Sequence, residues 1–301
     1  MKTILKILLA AGLSVSACQG FAALNIFACE PEWAALAQEL AGDGAVAYSA
    51  TTALQDAHRI EARPSLIARI RSADLVVCSG SELEIGWLPL LLAQSGNGRV
   101  RQGSPGFIEA TQFVRRIEIP KVVDRSLGDI HPGGNPHIHT DARNIARVAG
   151  ELAERLAILD PANAGAYRAR ATSFQGRWQT AMQRWEGEGA KLKDVPVVVY
   201  HRDFSYLIQW MGMREVGSLE PKPGVPPTPA HLAQLVEQMK RAPAKVIIYS
   251  PYNDPRAAQF LSERTGIPAV MMPFTVGGSE KAKDLFGLFD DTIARLLAVL
   301  K

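Results

Sequence analysis

The sequence predicts an α/β protein of two lobes, each built on a parallel sheet and joined by one long rigid helix. Three observations carry this reading. Short apolar runs ending in turn residues alternate with stretches of helical spacing, first in one half of the chain and again in the other. Strands alternating with helices in this way favour parallel sheets. Between the halves, Tyr167, Ala171, Phe174, Trp178, Ala181 and Trp185 recur at helical intervals and form one stripe.

Residues 1–22 come first and stand apart. Lys2 and Lys6 give a basic start, an apolar stretch runs from Ile4 to Ala17, and small residues close it. This pattern is an export signal to be set aside from fold reasoning. Gly20 and Ala22 suit a cut before Ala23, the preferred scheme. Val15-Ser16-Ala17-Cys18 offers an alternative cut that would leave Cys18 lipidated and the protein anchored to a membrane.

The first lobe is placed at 23–160. Leu24–Ala28 and Asp74–Cys78 read as strands, with Ala45–Ser49 as a weaker third and helical spacing at Pro64–Arg71. Residues 97–136 are rich in Gly, Pro and polar residues and read as loop with a short strand or two. A helix is expected from Asp141 to about Leu159. Asp160-Pro161 then opens a second, because Asp caps and Pro suits the first helical position. That helix, 161–192, is the connector. The second lobe, 193–301, has strands at Val195–Tyr200, Lys245–Tyr249 and Pro268–Met272. The Pro-rich run Glu220–Pro229 is loop, a helix starts near Ala230, and Ser279–Leu300 reads as a closing helix.

Composition narrows the function classes. The chain has 301 residues and a formal charge of +3, which gives no electrostatic reason for a nucleic-acid partner. Three cysteines exclude a disulfide-built scaffold. Beyond the leader no apolar run approaches the roughly 20 residues of a membrane helix, which excludes a polytopic membrane protein. There is no phosphate-binding glycine loop, and Ser79-Gly80-Ser81 lacks the frame of a nucleophile elbow.

The six histidines are the informative residues. His58 follows a strand by a short loop, His137 lies just before a helix, and His201 directly follows a strand. Open α/β sheets place their ligands at these points. Three neutral imidazoles favour zinc over metals that prefer hard oxygen. His139 lies two residues beyond His137 and can face the same site, whereas His231 falls in a helical pattern and reads as a surface residue. Asp56 and Glu61 flank His58, either as groups holding its ring or as solvated charges. Cys29 and Cys78 each end a strand. If those strands are neighbours the sulfurs meet, and export permits a disulfide. Two buried thiols or a pair of soft metal ligands are the alternatives.

Three stretches together carry a family resemblance. They are Asp56-Ala57-His58-Arg59-Ile60-Glu61-Ala62-Arg63-Pro64-Ser65, Gly134-Asn135-Pro136-His137-Ile138-His139-Thr140-Asp141, and Tyr200-His201 followed by Phe204 and Tyr206. In these the chain resembles the metal-specific solute-binding proteins of ABC importers, the zinc- and manganese-binding periplasmic or lipoprotein class. The resemblance implies a non-enzymatic, monomeric periplasmic protein that holds Zn2+, with Mn2+ less favoured, between its lobes through His58, His137 and His201. It also implies delivery of the ion to an inner-membrane permease. The chain departs from the family pattern in three places. Ala57 stands where the first motif usually has Pro, a long His-rich loop is absent, and Val270–Phe274 lacks the acid that often supplies a fourth ligand. The fourth position is then open to water, the simplest choice, or to His131, His139 or Glu61. A three-His zinc hydrolase and a binder of a chelated metal or haem are the rival readings.

Overall fold

The computed structural model describes residues 23–300; both processing schemes for the leader, including a lipidated Cys18, fall outside that range. The first lobe contains β1 (Leu24–Ala28), α1 (Pro31–Ala41), β2 (Ala45–Ser49), α2 (Pro64–Ser72), β3 (Leu75–Cys78), α3 (Leu88–Ser95) and β4 (Phe107–Glu109). Two helices follow, α4 (Ala142–Leu159) and α5 (Ala164–Gly189). The second lobe contains β5 (Pro196–Val199), α6 (Ser205–Trp210), β6 (Arg214–Ser218), α7 (Pro229–Arg241), β7 (Val246–Tyr249), α8 (Arg256–Thr265), β8 (Ala269–Met271) and α9 (Leu285–Ala298). The sheets run β2-β1-β3-β4 and β6-β5-β7-β8, and every strand pair in them is parallel. Among the described residues no helix is long and apolar enough to cross a membrane.

The strands read most easily from sequence are the central ones. Leu75–Cys78 of β3 and Val197–Val199 of β5 are fully covered, because helices lie on both faces of a parallel sheet. Edge strands carry a weaker signal. β6, with sequence REVGS, is an edge strand that the hydrophobic pattern does not reveal, and its register against β5 shifts between Val197 and Val198. The helix starts follow ordinary capping chemistry. Asp141 accepts from the Arg143 N–H ahead of α4, and Thr228 accepts from the His231 N–H ahead of α7. The closing helix starts later than the expected Ser279, because Asp284 accepts from the Gly287 N–H and sets the entry there.

The connector is a helical run from Pro161 to Leu192, of which α5 spans about 39 Å at 1.5 Å per residue. It is embedded along its length. Trp178 stacks on Phe174 and meets Phe286 of α9 at 4.9 Å between ring centroids, and Trp185 meets Phe289 at 5.0 Å. The Trp178 indole N–H donates to the Ala142 carbonyl at 2.8 Å. One core therefore runs through both lobes by way of α1, α4, α5 and α9, while smaller cores cover the outer face of each sheet.

Cys29 follows β1 and Cys78 ends β3, its neighbour in the sheet. The two form a disulfide with Cα atoms 4.8 Å apart. That geometry lies within the range a disulfide spans, and the bond removes the alternatives of free thiols or soft metal ligands.

Candidate metal centre

The strand ends bring His58, His137 and His201 to one place. His58 lies in the loop between β2 and α2, His137 in the loop before α4, and His201 two residues beyond β5. One nitrogen from each ring lies within 4.8 Å of the other two. Ring centroids are 5.3 Å apart for His58 and His137, 5.6 Å for His58 and His201, and 5.7 Å for His137 and His201.

Local sequence explains why the rings converge. In Gly134-Asn135-Pro136-His137, the Asn135 carboxamide oxygen accepts from the His137 N–H at 2.9 Å. Its amide group donates to the Arg202 carbonyl at 2.8 Å, one residue past His201, so one side chain ties two site segments together. Gly134 sits at φ +94°, and a Cβ there would stand 2.7 Å from the Ile117 carbonyl oxygen. The turn therefore calls for glycine.

Carboxylates orient two of the rings. Asp56 Oδ1 lies 2.6 Å from His58 Nδ1, and Glu220 Oε2 lies 2.7 Å from His201 Nδ1. In each case Nε2 is left to face the cleft, the arrangement by which outer groups fix the tautomer of a metal-binding imidazole. Both nitrogens of the buried His137 lack a hydrogen-bond partner.

Electrostatics divides the rings. Burial works against the imidazolium of His201, but Glu220, Asp203 and Asp56 outweigh it and push its pKa up to about 9. Burial, together with neighbouring His58 and His201, holds His137 well below the ordinary imidazole value. The same causes lower His131 to about 4, against an opposing contribution from the Ser81 carbonyl.

Of the other histidines, His131 comes nearest, against His58, but it stands outside the group of three rings whose nitrogens lie within 4.8 Å of one another. Its Nε2 stands 3.1 Å from His58 Nε2. It is carried on a segment pinned across the cleft, where the Asp129 N–H donates to the Pro223 carbonyl at 2.8 Å and Lys222 Nζ donates to the Ser126 carbonyl at 2.7 Å. His139 is turned elsewhere. Its Nε2 faces the Phe274 carbonyl at 3.1 Å, and its Nδ1, which makes no hydrogen bond, points at Glu32 Oε1 at 3.0 Å and not into the group of His58, His137 and His201. Glu61 is exposed, and it is Asp56 that holds the His58 ring. His231 is partly buried at the start of α7, with Nε2 on the Ser218 carbonyl at 2.8 Å. Sequence reasoning missed Glu220 and Asp203. They lie 19 and 2 residues from His201, in a loop and a short turn, and no periodic spacing marks them.

A model of the periplasmic zinc-uptake complex component A family, ZnuA, matches residues 26–299. The chain belongs to the ZnuA family. A high-affinity zinc uptake system protein ZnuA of Brucella abortus is 24% identical over 135 residues, which are 44% of this chain and 40% of that protein; the match thus spans well under half of that relative's length. The metal ABC transporter substrate-binding lipoprotein ScbA of Streptococcus cristatus is 23% identical over 93% of this chain and 91% of its own. These ZnuA-family relatives are metal-uptake and substrate-binding components by name, not enzymes. Among solved structures, a crystal structure of ZnuA superposes with a TM-score of 0.75 at 19% identity, covering 91% of this chain and 99% of that one. The Mn-bound periplasmic metal binding protein of Candidatus Liberibacter asiaticus reaches 0.74 at 18% identity, covering 92% of this chain and 99% of that one. These structural likenesses establish the two-lobed fold.

Proposed function

We propose that this protein captures a zinc ion with high affinity between its lobes and delivers it to the permease of an ABC importer. The ligands are His58, His137 and His201, with His131 as the fourth. The observation that carries the reading is the convergence of three imidazoles in a mostly buried cleft, two of them oriented by carboxylates and the third without any partner. Nitrogen donors in a four-coordinate shell suit zinc and give little to manganese.

Water is the simplest fourth ligand from sequence, because a loop histidine must first lose its freedom. His131 is the nearest protein candidate, its Nε2 3.1 Å from His58 Nε2, and a shift toward His137 and His201 would bring it into the shell. Two nitrogens on one tetrahedral zinc stand about 3.3 Å apart for Zn–N bonds near 2.05 Å. The segment carrying His131 is also already tied to the second lobe, so little further ordering is needed.

The size of the cleft speaks for a single ion rather than haem or a chelated metal. The spaces beside the imidazoles measure about 160 Å³ and 70 Å³, below the roughly 300–1,000 Å³ of pockets for larger ligands. The periplasm is the proposed compartment, reached by the leader at 1–22, with anchoring through Cys18 as the alternative. ScbA and the zinc-binding lipoprotein AdcA of Streptococcus pneumoniae are lipoproteins by name.

Titration of zinc against a chelating dye tests the reading. His58→Ala, His137→Ala and His201→Ala should each weaken binding by about a hundredfold or more, since each removes one of four inner bonds. His231→Ala should leave the affinity unchanged. A folded His137→Ala protein that binds zinc like the parent would overturn the assignment.

A further inference from the structure

We propose that Cys29, Cys78 and Glu84 form a second metal site, closed in the oxidised protein, that takes a thiophilic divalent ion such as zinc once a dithiol reduces the bridge. The site shares no residue with the histidine cleft and stands independently of the zinc-capture reading.

The two sulfurs and a Glu84 carboxylate oxygen lie within 4.8 Å of one another, and all three residues are buried. The backbone holds both cysteines without help from the bridge. The Cys29 N–H donates to the Val77 carbonyl at 2.9 Å, and the Thr51 hydroxyl donates to the Cys29 carbonyl at 2.9 Å. Cys78 is paired with Glu109 of β4. Glu84 is returned toward the sulfurs by a turn in which Gly80, Ser81 and Glu82 all take positive φ. Its Oε1 accepts from the Ser79 N–H at 2.8 Å and from the Gly80 N–H at 3.3 Å, and these bonds orient the carboxylate.

A second acid stands beside the first. Glu30 Oε2 accepts from the Ser79 N–H and from the Ser79 hydroxyl, each at 3.2 Å. Glu30 Oε1 is buried and has no hydrogen-bond partner. Among the described residues neither Glu30 nor Glu84 forms an ion pair. Two buried acids without a counter-charge are costly, and a bound cation relieves that cost. Access comes from an open groove of about 610 Å³, which Glu84 lines together with Leu88, Phe107 and Glu109.

The exchange balances. One thiolate of the dithiol attacks a cysteine sulfur, breaks the S–S bond and releases the other cysteine as thiolate. The second thiolate of the reductant then displaces the first cysteine, and the reductant leaves as a disulfide. Two electrons have passed to the cysteines, which take up the two protons of the dithiol. Zinc displaces both protons and forms two Zn–S bonds. Two thiolates cancel its charge, Glu84 gives a third donor, and Glu30 Oε1 is available as the fourth. With Zn–S bonds near 2.3 Å the sulfurs stand about 3.8 Å apart, a separation that side chains on Cα atoms 4.8 Å apart reach by rotation. In the oxidised chain the sulfurs are spent on each other, so the site opens and closes with the bridge.

Cobalt and zinc are titrated into the metal-free chain, oxidised or reduced with a dithiol that is removed before titration without air. The reduced chain should show the near-ultraviolet band of cobalt–thiolate bonds and take up one more zinc than the oxidised chain. Cys78→Ser should lose both signals. Glu84→Gln should keep the band but bind cobalt at least about tenfold more weakly, and an unchanged affinity would remove Glu84 from the site. Circular dichroism follows the fold, because reduction weakens the first sheet. If the reduced metal-free chain unfolds, zinc should restore its spectrum in His137→Ala, where the histidine cleft is impaired, and should fail to do so when Cys78→Ser is added. A folded reduced chain with no cobalt–thiolate band and no extra zinc would overturn the proposal, as would a reduced His137→Ala chain that zinc cannot refold.

Discussion

Zinc should bind about fiftyfold more tightly at pH 9 than at pH 7, because each pH unit well below the pKa of a protonated ligand costs a factor of ten and the ligand is still half protonated at its pKa. The ligand concerned is His201, whose pKa the surrounding Glu220, Asp203 and Asp56 raise to about 9 in spite of burial. At neutral pH the metal-free ring therefore carries a proton that the ion must displace. That fiftyfold difference corresponds to about 2.3 kcal/mol. His137 and His131 are held below the ordinary imidazole value and have already lost their protons, so they add nothing to this slope. Chelator competition at pH 7, 8 and 9 measures the slope. Calorimetry in two buffers of different protonation enthalpy should find about one proton released per zinc near pH 7.5. Glu220→Gln removes the main support of the His201 proton and should flatten the dependence. A flat affinity between pH 7 and 9 in the parent, with no proton release, would refute the account. The metal-free protein carries the same signature in its stability. The folded pKa of His201 lies above its ordinary 6.5, so its contribution is complete below about pH 6.5 and is lost as pH rises through about 9. His131 and His137 act in the opposite sense: their contribution is present above about pH 6.5 and is lost as pH falls toward their lowered values. The melting temperature of the metal-free protein should accordingly be highest near neutral pH and fall on both sides.

Two further outcomes follow from the packing. Replacing Cys29 and Cys78 together by Ser opens a link between residues 49 apart in sequence and should lower the unfolding free energy by about 2–4 kcal/mol; a loss too small to resolve in denaturant titration would mean the bridge adds little to this sheet. Trp178→Ala removes a fully buried indole from the core shared by α4, α5 and α9 and should cost about 3–5 kcal/mol, read by the same titration, with a near-neutral result arguing against a continuous core through the connector.

The sequence by itself determined the elements whose cause is local. Central strands such as Val197–Val199 are apolar throughout because both faces are covered, and the Tyr167–Trp185 stripe marks a helix because its spacing is helical. His58, His137 and His201 stood out for the same kind of reason: each sits at the end of a strand or the entry of a helix, where an open sheet exposes backbone and side chains to a ligand. Tertiary structure alone decided which of the remaining groups joins them. His131 and His139 are equally plausible in sequence, yet one is carried to 3.1 Å from His58 while the ring of the other is turned between Glu32 and the Phe274 carbonyl, residues far away along the chain. Edge strand β6 and the orienting Glu220 were illegible for one physical reason. Their roles come from contacts between segments that only folding brings together, and such contacts leave no periodicity in the chain.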